Sequence, residues 1–569
     1  MRTAIIRGIV YSSLLILGLA LFQVQVIQGG SFRRQSEQNR IRLIPVEAPR
    51  GRVLDSKGRL LATNRPSYDI IATPEDVTSD VYPRLAKMLN VDQVFIRKQM
   101  RARRESPFAP AFIMGDVSRD LAFEIEERRP ELPGVSVQVS FRRFYPYEQT
   151  ASHIIGFIGK IGESEYQKAD RERFGMNSLV GRSGIEKIYD DKLRGYRGGR
   201  QIEVNAKGQL IRILSEKSAQ PGEDIHLTLD LEFQKKIMGF IKDKHAAVAV
   251  LDLETEGLLA LASNPAFDPN AFVSPARAKE RQAFLNDPES PLLDRGTGGA
   301  YPPGSVFKLV TAMTAMETGK STPETRFYCN RTFRLTTDSR AYHCWYEKGH
   351  GSLNLYEALE RSCNVYFYNL GSKISQEDIY HYAHEFGLGE KMNFEMTGMT
   401  QGLVPNAEWK QKRLHQAWFQ GETLSFAIGQ SYLLVSPIQV LRMTATIAKN
   451  GLRVEPRLLS DQPILPHVKI GVHEKNLKAI RQGMLQVVES EYGTGQLARV
   501  DFGKIAAKTG TAQVPPKKAH GWMTGYFPAD NPKIAFVVFV EHGGSGGIAG
   551  AYVVKSMLKT WREDVAKVV

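Results

Sequence analysis

Hydrophobic residues follow three patterns along the chain. An uncharged and mostly apolar run extends from Gly8 to Phe32. Short apolar runs bounded by turn residues, typical of β-strands, occur at 246–263 and again between 504 and 542. Between about 305 and 450 the apolar residues recur at helical spacing. Strands at both ends with helices between them predict one antiparallel sheet flanked by helices, over 236–569.

The N-terminal run is long enough to cross a membrane, which takes about 20 apolar residues. We predict a transmembrane helix over 8–28. Arg2 and Arg7 precede it, so the positive-inside rule places residues 1–7 in the cytosol and exports the rest. A cleaved signal peptide is the alternative, because Gly18-Leu19-Ala20 offers a small-x-small cleavage site. The apolar pattern continues beyond that site, which favours a retained single-pass anchor in the cytoplasmic membrane.

The sequence of residues 29–235 predicts a separate folded unit between the anchor and the sheet. Its first part is basic and strand-like, and 67–140 mixes charged helical stretches with prolines, as an inserted lobe would. A chain of 569 residues predicts two to three folded units at about 150 residues each. The net charge of +14 suits an anionic membrane or an acidic polymer. Nothing resembling a basic-aromatic array or zinc-finger spacing supports nucleic-acid binding.

The first candidate catalytic group is Ser305-x-x-Lys308, which follows Pro302-Pro303-Gly304. Two prolines and a glycine disfavour a helix interior, so we expect a helix to begin near Ser305. Lys308 would lie one turn away on the same face. A serine becomes a nucleophile when a neighbouring base takes its proton, and a neutral buried lysine can do so. Taken alone, the pattern also fits an ordinary helix start with a solvated lysine.

Two further groups follow in the chain: Ser362-Cys363-Asn364, and Lys508-Thr509-Gly510-Thr511 on a predicted strand. A hydroxyl and a carboxamide two residues apart can relay a proton and hold an amide. A cation and a hydroxyl on an edge strand can bind a carboxylate, while glycine lets a peptide lie alongside. Each is weak by itself, since such triplets are common in turns and at strand ends.

Together, S-x-x-K, S-x-N and K-T-G in this order form the signature of penicillin-recognising serine acyltransferases. The chain resembles the class B penicillin-binding proteins, and within them the elongation-type peptidoglycan DD-transpeptidases of the penicillin-binding protein 2 branch. The resemblance also rests on pedestal motifs and on helical motifs of the catalytic domain: Asn39-Arg40, Pro49-Arg50-Gly51 with Asp55, Arg182-Ser-Gly-Ile-Glu186, Leu193-Arg194-Gly195, Gly421-Glu422-Thr423, Ile428-Gly429-Gln430 and Ser436-Pro437.

The resemblance implies a multidomain α+β fold with one transmembrane helix. An elongated pedestal of dimerisation type with an inserted head lobe would occupy 29–235. A serine transpeptidase domain of β-lactamase-like fold would occupy 236–569 and face the periplasm or the cell exterior.

It also implies residue roles, with Ser305 as the acyl-enzyme nucleophile and Lys308 as its general base. Ser362 would shuttle a proton and Asn364 would bind the substrate amide. Lys508 and Thr509 of the K-T-G motif would hold the terminal carboxylate of a D-Ala-D-Ala stem peptide, and Gly510 would let the peptide lie alongside the strand. The backbone N–H of Thr511 would complete an oxyanion hole with that of Ser305. The reaction would crosslink stem peptides during lateral wall elongation and rod-shape maintenance, with carboxypeptidase activity when water replaces the acceptor.

The implied partners are a SEDS-family glycosyltransferase and a rod-complex scaffold protein that docks on the pedestal. The alternatives are a secreted β-lactamase, which needs neither an anchor nor a pedestal, and a non-catalytic membrane-anchored scaffold or sensor of the elongation complex. Such scaffolds usually lose the serine or the lysine, and both are present here.

The cysteines suggest a metal site. Cys329, Cys344 and Cys363 are the only cysteines of the chain, and His350 lies among them. Three thiols and one imidazole form a complete tetrahedral set for structural Zn²⁺. A Cys329–Cys344 disulfide and three buried free thiols are the alternatives. Some elongation-type relatives have a zinc site at corresponding positions with carboxylates in place of some thiolates, so Asp338 is a substitute ligand.

Overall fold

A computed structural model describes residues 2–31, 41–102, 110–170, 173–174, 178–204 and 210–566. Within these ranges one helix is long and apolar enough to cross a membrane, Ile5–Ile27. It comprises the α-helix Arg2–Phe22 and a π-helical extension, Gln23–Ile27, and its apolar side chains are exposed. The predicted N-terminal apolar helix is therefore confirmed. The predicted pedestal motif Asn39-Arg40 lies outside the described residues.

The unit that follows the N-terminal apolar helix is built on small sheets. Strands Ile41–Val46, Gly198–Val204 and Leu210–Lys217 form an antiparallel three-stranded sheet. A five-stranded sheet is centred on the long strand Leu60–Ala72, and strands Ile158–Lys160 and Leu179–Gly181 form a separate pair. The other strands of the five-stranded sheet are Val53–Leu54, Ala111–Val117, Val135–Phe144 and Ile225–His226.

A lobe with its own apolar core forms at one end of this sheet. Helices Val81–Leu89, Gln93–Ala102 and Arg119–Glu127 pack their apolar faces against its strands. This agrees with the inserted lobe expected from the charged helical stretches. The shorter helices of the pedestal are Ser152–Ile155, Glu163–Lys168, Gly184–Ile188 and Asp190–Arg194.

The pedestal motifs meet around one buried carboxylate, Glu186. Arg50 Nε lies 2.6 Å from Glu186 Oε2, and Arg143 Nε lies 2.5 Å from Oε1. The two guanidinium groups hold the pKa of Glu186 below its ordinary value although burial acts to raise it. Gly51 donates its N–H to Leu193 O at 2.7 Å. A side chain at position 51 would collide with the backbone of residue 223, which explains the glycine of this motif.

The C-terminal unit contains a five-stranded antiparallel sheet, as predicted. Its spatial order is Leu258–Asn264, Ala246–Asp252, Ile534–Val540, Lys517–Phe527 and Ala506–Val514. Strands Ala246–Asp252 and Ile534–Val540 lie inside the sheet, and both of their faces are buried. Unbroken apolar runs such as AAVAVL therefore suit these inner strands.

Helices cover both faces of this sheet. Helices Leu231–Ile241 and Gly546–Asp564 share one apolar core with the sheet, and Lys308–Glu317 and Pro437–Ala448 lie in the core of the opposite face. The remaining helices are Asn270–Val273, Ala278–Asn286, Leu355–Glu360, Asn364–Gly371, Gln376–Glu385, Ala407–Leu414, Gln420–Ala427 and Glu474–Glu489. Short strand pairs join Phe327–Cys329 to Gly351–Leu353, Thr332–Phe333 to Tyr342–His343, and Leu452–Arg453 to Val468–Lys469.

An ion-pair network joins the two units. Arg59 of the pedestal contacts Asp55 Oδ2 at 2.6 Å and Asp230 Oδ1 at 2.8 Å. Asp55 also accepts a hydrogen bond from the backbone N–H of Leu231. Leu231 begins the helix Leu231–Ile241, which packs on the sheet of the C-terminal unit although it starts before the predicted boundary at 236. Lys57 Nζ lies 2.7 Å from Asp230 Oδ2. These contacts fix the start of that helix against the pedestal.

Candidate active site

The S-x-x-K segment forms a tight turn before its helix. Residues Gly304–Phe307 form a 3₁₀ turn, and the α-helix begins only at Lys308. Gly304 has a φ of +56°, a conformation that glycine adopts without strain. The predicted helix start near Ser305 is therefore displaced by one short turn. Ser305 is partly exposed at this turn, whereas Lys308 is completely buried.

Lys308 joins the first motif to the second. Its Nζ donates hydrogen bonds to Asn364 Oδ1 at 2.7 Å and to Ser362 O at 2.8 Å, and its contact with Ser362 Oγ is 3.3 Å. No carboxylate is among these acceptors. Burial therefore dominates and lowers the pKa of Lys308 to about 8. A substantial fraction of this amine is neutral near physiological pH, as a general base requires.

The K-T-G strand supplies a second buried amine. Lys508 Nζ lies 3.0 Å from Ser362 Oγ, so the Ser362 hydroxyl lies between the two lysines. Burial and the positive charge of Lys308 hold the pKa of Lys508 well below its ordinary value. Ser362 itself has a φ of +52°, which is uncommon for a residue with a side chain and is typical of functional turns.

Gly510 permits the K-T-G strand to approach the S-x-x-K turn. A Cβ at position 510 would lie 2.9 Å from Pro303 O and 2.9 Å from Val306 Cγ2. Thr511, one residue on, is exposed and lies beside Gly304, whose own Cβ would come within 2.9 Å of Thr511 O. All three motifs therefore lie together, and we call the region that they border, which includes the partly exposed Ser305, the cleft.

Two neighbours of this cleft had no signal in the sequence. Thr494 Oγ1 lies 2.6 Å from Thr509 Oγ1 and supports the K-T-G hydroxyl from the preceding loop. Trp345 Nε1 donates to Ser362 O at 3.2 Å and fixes the turn of the S-x-N motif. Each acts through a long-range contact, which local patterns in the chain do not reveal.

The three cysteines and His350 also converge. Their candidate ligand atoms all lie within 4.8 Å of one another. Cys344 Sγ is 3.4 Å from His350 Nδ1 and 4.0 Å from Cys363 Sγ, while Cys329 Sγ is 3.7 Å from His350 Nδ1. All three thiols are free and buried. Asp338, the substitute ligand, is exposed and is not a member of this group.

The donor set fits a tetrahedral zinc ion. Zn–S bonds of about 2.3 Å and Zn–N bonds of about 2.0 Å require ligand atoms roughly 3.5–3.8 Å apart, close to the separations observed here. Hydrogen bonding with Cys363 is the main cause that lowers the pKa of Cys344 and of Cys329, and the same hydrogen bonds raise the pKa of Cys363. Thiolates are the form of cysteine that binds metal.

Two known protein domain families match this chain. Residues 246–559 match the penicillin-binding protein transpeptidase domain, and residues 45–227 match the penicillin-binding protein dimerisation domain. The chain belongs to the penicillin-binding protein transpeptidase family. The match covers the three motifs of the cleft and, separately, the pedestal.

Individual penicillin-binding proteins are similar over nearly the whole chain. The peptidoglycan D,D-transpeptidase MrdA of Escherichia coli is 32% identical, over 93% of this chain and 89% of its own length. A complex between PBP2 and MreC from Helicobacter pylori has 29% identity and a TM-score of 0.83, covering 92% of this chain and 99% of that one. A peptidoglycan synthase complex that coordinates polymerisation and crosslinking includes a chain with 28% identity and a TM-score of 0.76. That match covers 99% of this chain and 98% of that one.

Proposed function

We propose that this protein is a serine-type peptidoglycan DD-transpeptidase that crosslinks stem peptides during lateral wall elongation. The observation that supports this best is the convergence of Lys308, Ser362, Asn364 and Lys508 beside the partly exposed Ser305. Such a cleft offers a nucleophile, a base of lowered pKa, a proton relay and a cation for a substrate carboxylate.

Acylation begins with the donor stem peptide held in the cleft. Lys508 and Thr509 bind its terminal carboxylate, and Asn364 binds a backbone amide. Neutral Lys308 takes the proton of Ser305, whose Oγ attacks the carbonyl carbon of the penultimate D-alanine. The backbone N–H groups of Ser305 and Thr511 stabilise the resulting oxyanion.

Collapse of the tetrahedral intermediate releases D-alanine. The C–N bond breaks, and Ser362 relays a proton to the departing amine. Its hydroxyl contacts both lysine amines, at 3.3 Å and 3.0 Å, which suits it to this relay. An amine of a neighbouring stem then attacks the ester and restores Ser305. Attack by water instead yields a shortened peptide, which is carboxypeptidase activity.

We further propose the following topology and partners. The apolar helix Ile5–Ile27 anchors the chain in the cytoplasmic membrane, with the N-terminus in the cytosol and the catalytic unit in the periplasm. A SEDS-family glycosyltransferase supplies the glycan strands, and a rod-complex scaffold protein docks on the pedestal. The similarity to a PBP2 that binds MreC and to a chain of a peptidoglycan synthase complex supports these assignments.

The test uses the full chain in detergent with a pentapeptide donor and an amine acceptor. We expect release of D-alanine together with a new peptide bond to the acceptor. S305A should abolish both products, because no ester can form. An exposed serine on the same unit provides a matched control, and S290A should retain activity. D-alanine release without transfer to any amine would indicate a carboxypeptidase, and neither product in the wild type would indicate a scaffold.

We also propose that Cys329, Cys344, His350 and Cys363 hold one structural Zn²⁺. Cys363 stands inside the S-x-N motif, so the ion would tether that turn to the 329–350 segment. The metal would stabilise the fold of this segment without contacting substrate, as closed four-ligand sites do.

The zinc proposal predicts one Zn²⁺ per purified chain and a lower melting temperature after chelation. C329S should lower both metal content and acylation, although Cys329 is not among the residues to which the proposed mechanism gives a role in binding or reaction. H343A is a matched control, because His343 is a neighbouring exposed histidine outside the four-ligand group. A chain that binds no zinc, or a C329S variant with unchanged stability and acylation, would contradict the proposal.

A further inference from the structure

A cavity of about 1470 Å³ opens between the inserted lobe, the rest of the pedestal and the helix Asn270–Val273. Four arginines that lie near one another line part of it, and we call them the arginine cluster: Arg50, Arg173, Arg194 and Arg197. Guanidinium groups stay charged at physiological pH and repel one another. Such a group of side chains is therefore stable only if anions lie among them.

Two buried carboxylates lie among these arginines, and both are shared. Asp190 contacts Arg194 and also Arg50, whose Nη2 is 2.8 Å from Asp190 Oδ1. Glu186 contacts Arg50 and is shared with Arg143, which lines the same cavity. Together with Arg143, five guanidinium groups therefore accompany two buried carboxylates.

The remaining carboxylate partners lie at the surface. Glu47 pairs with Arg197, and its side chain is 67% exposed. Asp191 lies 3.4 Å from Arg173, and its side chain is 80% exposed. Water and salt screen exposed charges. Among the described residues, the buried charge of the arginine cluster is therefore only partly balanced.

Arg194 has unused binding capacity at the centre of the cluster. Its guanidinium packs over the ring of Phe174, with Cζ 3.9 Å from the ring centroid. The Nε atoms of Arg194 and Arg173 are buried and have no hydrogen-bond partner. Burial and the positive charges of the other three arginines lower the pKa of Arg194 to about 10. An anion at this place would satisfy buried donors and offset the repulsion.

The backbone between Arg194 and Arg197 is held in a fixed conformation. Gly195 has a φ of +69°, and a Cβ at this position would lie 2.3 Å from Gln220 O. Tyr196 and Gln220 exchange two backbone hydrogen bonds of 2.9 Å. The two guanidinium groups therefore extend from a supported segment, which favours a defined binding geometry.

We propose that the arginine cluster binds a phosphate group. A phosphate monoester carries a charge of about −1.5 to −2 near pH 7, which suits the excess of positive charge better than one carboxylate does. Guanidinium groups bind phosphate oxygens through two parallel hydrogen bonds. The phosphate belongs either to a soluble ligand or to the head group of a membrane lipid, and the two sources present the same chemistry to the cluster. This inference concerns binding and does not rest on the proposed transpeptidase activity.

The test measures binding by the full chain in detergent. Calorimetric titration uses inorganic phosphate, pyrophosphate and, at matched ionic strength, acetate. A second arm adds phosphatidic acid or phosphatidylcholine to the detergent micelles. We expect a phosphate-bearing probe to bind and acetate not to bind. R194Q should weaken the binding by about 10- to 100-fold, the usual worth of a charged hydrogen bond.

Matched variants separate this site from general charge effects. R200Q is the control, because Arg200 pairs with the exposed Glu216 and is not among the residues that line the cavity. It should bind like the wild type. R173Q is a second variant should R194Q fail to fold, since it removes a cluster charge whose described carboxylate partner is the exposed Asp191. R173Q should weaken binding in the same direction.

The source of the phosphate follows from which probe binds. Binding of inorganic phosphate or pyrophosphate that R194Q weakens and R200Q retains supports a soluble ligand, and the same pattern with phosphatidic acid alone supports a lipid head group. No binding of any phosphate probe, or wild-type affinity in R194Q or R173Q, would overturn the proposal. Acetate that binds as tightly as phosphate would also overturn it, and would point to an acidic protein segment instead. S305A should bind like the wild type, so failure of this site and failure of the proposed function are distinguishable.

Discussion

Lys308 illustrates how burial changes the chemistry of a single side chain. Its amine has lost its hydration and interacts with uncharged oxygens, so its neutral form is favoured and its pKa falls to about 8. A general base acts in its neutral form. The acylation rate should therefore rise with pH and level off above the pKa.

This pH dependence is the first prediction. Acylation by a fluorescent penicillin, measured from pH 6 to pH 10, should increase about tenfold per pH unit well below pH 8 and become constant above it, because the neutral fraction follows a single titration. The pH stability of the penicillin without protein is the control. A rate that is constant between pH 6 and pH 9 would exclude Lys308 as the titrating base.

At the scale of residues, sequence patterns identified the motif side chains but not their surroundings. Ser305, Lys308 and Lys508 stand in short recognisable motifs. Thr494 does not, because its contact with Thr509 depends on a loop that packs across the end of the distant helix Leu355–Glu360. The left-handed backbone of Ser362 was equally unpredictable, since nothing local requires it.

The K-T-G strand and the S-x-x-K turn approach each other closely beside the cleft. The K-T-G strand Ala506–Val514 packs against the S-x-x-K turn, and Gly510 leaves room for only a hydrogen atom at their contact. A methyl group at position 510 would push against the backbone carbonyl of Pro303. The strand or the turn would then have to move, and both bear residues that the proposed mechanism uses.

The second prediction follows from this contact. G510A should reduce penicillin acylation by about 10- to 100-fold, since a displacement of less than 1 Å in a reacting geometry has effects of this size. Gly239 lies within the helix Leu231–Ile241, and a methyl group at that position would meet no atom within 4 Å. G239A should therefore retain full activity and equal or higher stability. Equal rates in the two variants would contradict the importance of the close contact at Gly510.

Strands and helices were predictable where the need to bury apolar residues dominated the sequence pattern. The apolar runs at 246–263 and 504–542 became strands of one antiparallel sheet, because such runs must be buried on a pleated surface. The start of the S-x-x-K helix was displaced, because Gly304 adopts a positive φ and the chain completes a 3₁₀ turn first. No periodic pattern in the sequence predicted the short strand pairs around the cysteines.

For the whole molecule, the junction between pedestal and catalytic unit depends on buried charge. Asp55 and Asp230 share Arg59, and Asp55 also accepts the N–H of Leu231. Lys57 and Arg59 hold the pKa of Asp230 below its ordinary value against the effect of burial. The stabilisation from this carboxylate is therefore present at neutral pH and is lost as the pH falls through its lowered pKa.

The third prediction concerns this junction. R59Q leaves two buried carboxylates without a shared partner, and should cost about 3 kcal/mol or more of stability, the usual cost of breaking a buried pair. Calorimetry should show the melting transition broadening or separating in two as the units uncouple. R52Q removes a solvent-exposed pair with Asp224 and should leave the melting transition close to that of the wild type. A single unshifted transition in R59Q would contradict a role for this network.

The overall organisation was predictable because each unit has its own pattern, and the junction was not. The N-terminal apolar helix follows from the length of its apolar run, and the C-terminal unit follows from its motifs. By contrast, the contact between Arg59 and Asp230 joins residues far apart in the chain, and no local sequence pattern predicts it. The dimerisation type of the pedestal was predictable only through resemblance, because its small sheets and short helices produce no strong periodicity.

The most direct test of the catalytic mechanism is the intact mass of the full chain before and after benzylpenicillin, followed by peptide mapping. We expect one covalent adduct per chain on the peptide that contains Ser305, present in the wild type and absent from S305A. An adduct on another residue, an adduct that persists in S305A, or no adduct in the wild type would contradict the mechanism.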